Sequence, residues 1–341
     1  MSIPVEDKST RIKTMKYLDL SENKKFARVV LGCDHYGETI PSDVARAAMD
    51  SYLAFGGNVF DTACCYGQQR PDTPSTSEVL VGKHLRDLDR SSYIIITKGG
   101  HPPRTDFHQS RITEKALKYD IMQSLDQLGT VPDWWLFHRD NPDIPVAELI
   151  DFANSYIDAG LMKNIGVSNW SVQRIEEANN WAAKHGKVQF SMSQMQFSLA
   201  ACTRDSWGDD TIQVMDESIL AWYRKTGMLY TCFSSQGRGI IQKIAEGRDL
   251  GKAYRFDLPA NRKLAEKVKA IAKRDNVSLT AVCLAFITSQ DSNSMAVVGA
   301  SSVKQLEETL ATSDYSLGKE DMEELFEIRG ICPAMSAGEG D

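Results

Sequence analysis

The chain reads as an α/β protein, a single (β/α)8 barrel (TIM barrel) with an N-terminal β-hairpin and extra helices. Three observations lead there. Eight short apolar runs alternate with longer helix-period patterns along the 341 residues. No G-x-G-x-x-G follows the first run, so the dinucleotide fingerprint of an open doubly wound sheet is missing. Polar residues suited to chemistry follow one run after another, as they do at the C-terminal rim of a barrel, instead of gathering at one switch point. One barrel with added segments accounts for the length, so residues 1–341 are assigned to one domain. Residues 1–15 and 335–341 are polar and are expected to be loose.

The elements follow in order. Residues 17–20, before Phe26, predict the hairpin at the closed end of the barrel. The eight strands are expected at 28–31, 58–62, 93–97, 134–138, 164–168, 189–195, 229–233 and 295–298. Several are continuously apolar, as strands covered on both faces are. Ser75 and Glu78 form a capping box before Val79, Leu80 and Leu85. Leu117, Ile121, Leu125 and Leu128 make one helical stripe, and Val146, Leu149, Ile150, Ala153 and Ile157 make another. Residues 239–261 read as an insertion after the seventh strand. Leu264, Val268 and Ile271 give the next helix, 280–287 an apolar one after Ser278, and Val303, Leu306 and Leu310 the last.

Composition narrows the function. The net charge of -7, without a basic block, disfavours nucleic acid and membrane surfaces as partners. No run is long and apolar enough for a membrane span, and residues 1–16 lack the apolar core of a signal peptide. Seven cysteines without metal-ligand pair spacing read as reduced thiols of a cytoplasmic protein, with no metal.

The strand ends carry the chemistry. They bring together a carboxylate, a phenol, an amine and an imidazole: Asp61, Tyr66, Lys98 and His138. A free tyrosine, with a pKa of about 10, holds its proton too tightly for efficient transfer near neutrality. A lysine ammonium favours the phenolate. A buried lysine in turn needs a carboxylate partner, which Asp61 supplies. His138 then orients a carbonyl oxygen or shares the proton, and Tyr66 protonates the oxygen as hydride reaches carbon.

The segments Asp61-Thr-Ala-Cys-Cys-Tyr66-Gly67, Thr97-Lys98-Gly99, Leu136-Phe137-His138 and Gly166-Val167-Ser168-Asn169 resemble the aldo-keto reductase superfamily, in its order and over nearly the whole chain. The resemblance implies that Asp61, Tyr66, Lys98 and His138 are the catalytic set. It implies that Ser168, Asn169 and Gln194 hold the nicotinamide carboxamide and that Phe233 stacks on the ring, where the family usually has tyrosine. Ser234, Ser235, Gln236, Gly237 and Arg238 resemble the pyrophosphate loop, departing from the common Ser-Pro-Leu form. Gly299, Ser301, Gln305 and Glu308 fall in the adenosine-phosphate segment. There Gly299 and Gln305 replace a lysine and an arginine common among relatives, so the 2′-phosphate is left to Ser301, Gln305 and Lys304. The cofactor implied is NADP(H), with NAD(H) not excluded.

Asp34 and His35, after the first strand, and Trp170 are assigned to the substrate pocket, with Trp207 and Tyr36 as further candidates for its walls. The polarity of Asp34 and His35 predicts a small, hydroxylated or sugar-like aldehyde or ketone as substrate. Two other functions compete. A nucleotide-bound redox sensor or regulatory subunit would keep the site with little turnover. A metal-dependent barrel hydrolase using Asp34, His35, Asp61 and His138 is disfavoured, because Lys98 repels a cation.

Overall fold

The computed structural model describes residues 15–21, 24–68, 73–203 and 206–330. The expectation for the two loose ends falls on residues outside these, apart from Met15.

Strands β1 (Tyr17–Ser21) and β2 (Lys24–Ala27) pair antiparallel as the expected hairpin. Eight parallel strands then close a barrel: β3 (Val29–Gly32), β4 (Val59–Asp61), β5 (Ile94–Gly99), β6 (Trp134–Phe137), β7 (Asn164–Ser168), β8 (Phe190–Gln196), β9 (Leu229–Phe233) and β10 (Ser294–Val298). They lie in chain order around it, and β10 pairs with β3 to shut the ring. All eight expected strands are present, two with the expected bounds and the rest with ends shifted by at most two residues. The largest shift is at β5, which runs on to Gly99. Lys98 is therefore a strand residue, paired in register with Leu136. Strand pairing outlasts the apolar run because the lysine is neutralised inside the barrel, as described below.

Helices α1 (Ser42–Ala54), α2 (Thr76–Leu85), α3 (Glu114–Leu128), α4 (Val146–Asp158), α5 (Val172–Lys184) and α6 (Glu217–Thr226) follow the strands in turn. α7 (Ile240–Ala245) sits within the insertion, followed by α8 (Pro259–Asp275), α9 (Leu279–Thr288), α10 (Val303–Leu310) and α11 (Lys319–Arg329). Several start where a loop of the barrel rim ends, and their caps fix those loops. Thr113, Ser171, Ser278 and Ser302 each accept a backbone N–H three residues on.

The expected capping box at α2 is half formed. Ser75 Oγ accepts from Glu78 N, but the Glu78 carboxylate turns into the core and accepts from Thr97 Oγ1 at 2.5 Å. Its other oxygen is buried without a partner. Burial pushes the Glu78 carboxyl up to about 7.

Candidate active site

Short, polar-tipped connections place the functional side chains at the C-terminal ends of the barrel strands. Asp61 ends β4, in register with Gly32 on one side and Ile96 on the other. The turn after it is built from hydroxyls. Ser75 Oγ donates to Ala63 O and Tyr66 O, at 3.0 and 2.8 Å, and Thr62 Oγ1 lies 2.7 Å from Ser77 Oγ. Gly67 follows with φ 70°, and a Cβ there would lie 1.9 Å from Thr76 Oγ1. Glycine is thus required for the chain to turn back immediately after Tyr66.

Lys98 is fully buried beneath this turn. Its Nζ donates to Asp61 Oδ1 at 2.8 Å, to Thr62 O at 2.7 Å and to Tyr66 Oη at 3.3 Å. All three ammonium donors are therefore used. The second Asp61 oxygen accepts from Gln194 Nε2 at 2.7 Å, and the same nitrogen lies 2.9 Å from Thr231 Oγ1. His138 meets the Tyr66 ring edge to face, 5.8 Å between centroids. Its backbone N–H is held by Gly99 O at 2.8 Å. The four expected residues are thus brought together by three different strands and their loops.

The electrostatics differ from the simple expectation in one respect. Desolvation first, and then the Asp61 carboxylate, push the Tyr66 phenol well above its ordinary range. The Lys98 charge does not reverse this, because Asp61 lies nearer to it than Tyr66 does. Tyr66 is therefore a fully protonated phenol at neutral pH, resting on an ammonium that can stabilise the phenolate once the proton leaves. Burial holds His138 well below the usual imidazole range, with His101 adding to the effect, so it is neutral.

These groups floor a cleft of about 1530 Å³. Asp34, His35, Ser168, Asn169, Gln194, Phe233, Ser234, Ser235, Gln236, Arg238, Gly299, Ser301, Gln305 and Glu308 all line it, together with Asp61, Tyr66 and His138. Gly237 stands behind the lining, buried with φ 54°, where a Cβ would meet Ala200 Cβ at 2.5 Å. Gln305 Oε1 accepts from Ser301 N and Ser301 Oγ, both at 3.0 Å, fixing the entrance to α10. Lys304 is solvated beside Glu308 and lies outside the cleft lining.

The assignment of Trp170 to the substrate pocket is corrected. Trp170 has no exposed surface and packs against Phe137 and Phe190 behind the barrel wall. Its neighbour Asn169 lines the cleft in the left-handed region, φ 61°, and the next residue turns away from the cleft.

A family model described as Aldo/keto reductase family matches residues 28–329. The chain belongs to the aldo/keto reductase family. It is accordingly an oxidoreductase of carbonyl and alcohol groups. It is 25% identical over 358 aligned positions to a Schizosaccharomyces pombe protein that carries an aryl-alcohol dehydrogenase name, covering 92% of this chain and 95% of that one. It is 24% identical to an aldo-keto reductase of Emericella nidulans, over 86% of this chain and 74% of the relative. Its fold is similar to that of a thermostable aldo-keto reductase solved with the inhibitor epalrestat. That match has a TM-score of 0.68 and 22% identity, covering 92% of this chain and all of the other.

Sequence reasoning missed much of the lining of this reductase. His101, Arg104 and Phe107 reach the cleft from the loop after β5, and Arg139 and Asp209 face it as an ion pair at 3.0 Å. Lys243, Arg248 and Lys252 bring cations from the insertion. A concentration of cations in residues 238–252 was the available signal. Trp207, by contrast, was an expected wall residue and does line the cleft, edge to face with Phe233 at 5.7 Å and beneath Arg238 at 5.1 Å, whereas Tyr36 is buried outside the lining. Among the described residues, no helix is long and apolar enough to cross a membrane.

Proposed function

We propose that this reductase uses NADP(H) to reduce a small hydroxylated aldehyde or ketone, with Tyr66 giving the proton to the carbonyl oxygen. The observation that carries this reading is the Lys98 ammonium, saturated by Asp61, Thr62 O and Tyr66 Oη at the floor of the cleft. A structural ion pair has no need of a cleft-facing phenol as its third partner. A proton donor does, because the ammonium is in place before the phenolate forms.

Donors and cations in the cleft fit a dinucleotide. Gln236 Nε2 is a buried amide donor without a partner, in the segment resembling a pyrophosphate loop. Arg238, Lys243, Arg248 and Lys252 add positive charge to the same cleft. When bound, the nicotinamide supplies the hydride. Ser168, Asn169 and Gln194 would hold its carboxamide and Phe233 would stack on its ring. Ser234, Ser235, Gln236 and Arg238 would hold the pyrophosphate. Ser301, Gln305, Glu308 and Gly299 would take the adenosine end. The neutral His138 imidazole positions the carbonyl oxygen beside Tyr66, and Tyr66 releases its proton to that oxygen. Lys98 then faces the resulting phenolate.

The polar side of the cleft supports a hydroxylated substrate. Asp34 Oδ1 is closed off from solvent without a hydrogen-bond partner, and Asp34 and His35 lie 3.6 Å apart at the mouth of the cleft. A substrate hydroxyl would satisfy that oxygen, and a hydrogen bond to a charged group is worth about 1.5–3 kcal/mol. Asp34→Ala is then expected to raise KM for a hydroxylated aldehyde about tenfold or more and to leave an aryl aldehyde nearly unchanged. Equal changes for both would remove the substrate assignment. The cofactor is tested by fluorescence titration with NADPH and NADH, followed by a carbonyl panel with the tighter nucleotide. Tighter binding of NADPH is expected, and failure to bind either would overturn the reading.

A further inference from the structure

We infer that Cys65, His101 and His138 form a binding site for a borderline-soft divalent cation such as Zn2+, and that its occupancy stops the reductase. The second half rests on the function proposed above, and the first does not.

The ligand atoms of these three residues all lie within 4.8 Å of one another. Cys65 Sγ is 3.8 Å from His138 Nδ1, and the rings of His101 and His138 meet edge to face at 4.6 Å. Tetrahedral zinc, with bonds of about 2.3 Å to sulfur and 2.0–2.1 Å to nitrogen, sets its donor atoms about 3.3–3.6 Å apart. The triad is thus a slightly open form of that geometry, needing shifts of about 1 Å. A sulfur and two imidazoles suit zinc or cobalt far better than magnesium or calcium.

Two surrounding features favour the site. His101 Nδ1 lies 2.6 Å from Pro102 O, which accepts its N–H. That bond leaves Nε2 as the lone-pair nitrogen, the arrangement found behind metal-bound histidines. The Lys98 and Arg139 charges do act on His138, adding to the depression of its imidazole, but each has a carboxylate partner. The ammonium is paired with Asp61 at 2.8 Å and Arg139 is paired with Asp209 at 3.0 Å. The partnerless Asp34 oxygen lines the same cleft.

Binding forms one metal–sulfur and two metal–nitrogen bonds. The S–H bond of Cys65 breaks and its proton leaves to solvent, with no change of oxidation state. The cation then occupies the imidazole that faces Tyr66. The roughly 1 Å shift needed for ligation draws that ring toward Cys65 and His101, away from the place where it positions the carbonyl oxygen.

The test uses the full-length protein, freed of metal. Cobalt(II) is titrated and its absorption followed for a thiolate-to-cobalt charge-transfer band. One equivalent is expected to produce the band in the unmodified protein. Cys65→Ala should abolish it, and His101→Ala should weaken cobalt binding at least about tenfold. In parallel, zinc is titrated into carbonyl reduction by NADPH, each variant being compared with its own metal-free rate. Zinc should suppress turnover, EDTA should restore it, and both variants should shift the midpoint at least about tenfold. No band, or an equal band in Cys65→Ala, overturns the site. A band with turnover unaffected by zinc overturns the inhibition. A Cys65-dependent band in a protein that reduces no carbonyl supports the site and contradicts the functional reading.

Discussion

Replacing Lys98 by methionine removes an ammonium with no exposed surface and strands the Asp61 carboxylate, whose remaining partner is Gln194 Nε2 at 2.7 Å. Breaking a buried ion pair from one side costs about 3–5 kcal/mol, because the other charge stays buried and unmatched. Asp61→Asn strands the lysine in the same way. Either loss is a large share of the total stability of a folded domain, about 5–15 kcal/mol. Removing both charges is different. The double variant Asp61→Asn/Lys98→Met leaves no isolated charge, so it should be more stable than the sum of the two losses implies, by about 1–3 kcal/mol. Activity should not follow stability. All three variants lack the ammonium–carboxylate pair that stands under Tyr66, so all three should be nearly inactive. Equilibrium urea denaturation of the four proteins measures the cycle, and a steady-state carbonyl assay measures turnover. Strictly additive losses would refute the pairing. A double variant with restored turnover would refute the role given to Lys98.

Two further outcomes concern the frame around the site. Glu78 titrates near 7 in the folded protein against 4.5 in its ordinary state. The folded chain then binds more protons than the unfolded one between those values, so this group's contribution to stability falls by about 3 kcal/mol as pH rises through that window. Glu78→Gln should remove that fall, and denaturation of both proteins at about pH 5 and pH 8 should show the variant gaining relative to the parent; parallel profiles would contradict the shift. Trp170→Ala should cost about 3–5 kcal/mol through the cavity it leaves, with KM for carbonyl substrates unchanged. A selective KM change there would return Trp170 to the pocket.

The barrel was legible because its strands are covered on both faces and so read as unbroken apolar runs. Ile94, Ile95 and Ile96 marked β5 plainly, yet the same criterion stopped at Thr97. It had no means of extending a strand through a lysine that is neutralised by a residue 37 positions earlier. Asp61, Tyr66, Lys98 and His138 were legible as a set because they end or follow three successive runs. Trp170 was misplaced because adjacency to Asn169 says nothing about which way the chain turns after a left-handed residue. His101, Arg104 and Arg139 were missed for a similar reason, since the rim loops that bring them to the cleft have no period to read. Cys65, His101 and His138 are too widely spaced for any ligand-pair pattern, and they meet because β4, β5 and β6, whose loops carry them, are neighbours in the barrel.

Tyr66→Phe asks whether the Tyr66 hydroxyl delivers the proton, because it removes that one group and little else. Carbonyl reduction is measured for the parent and the variant with saturating NADPH, alongside the affinity of each for the nucleotide. NADPH affinity should be unchanged and turnover should fall by about 10²–10⁴-fold, the usual worth of a positioned proton donor. A variant that reduces carbonyls at the parental rate would show that the proton comes from elsewhere.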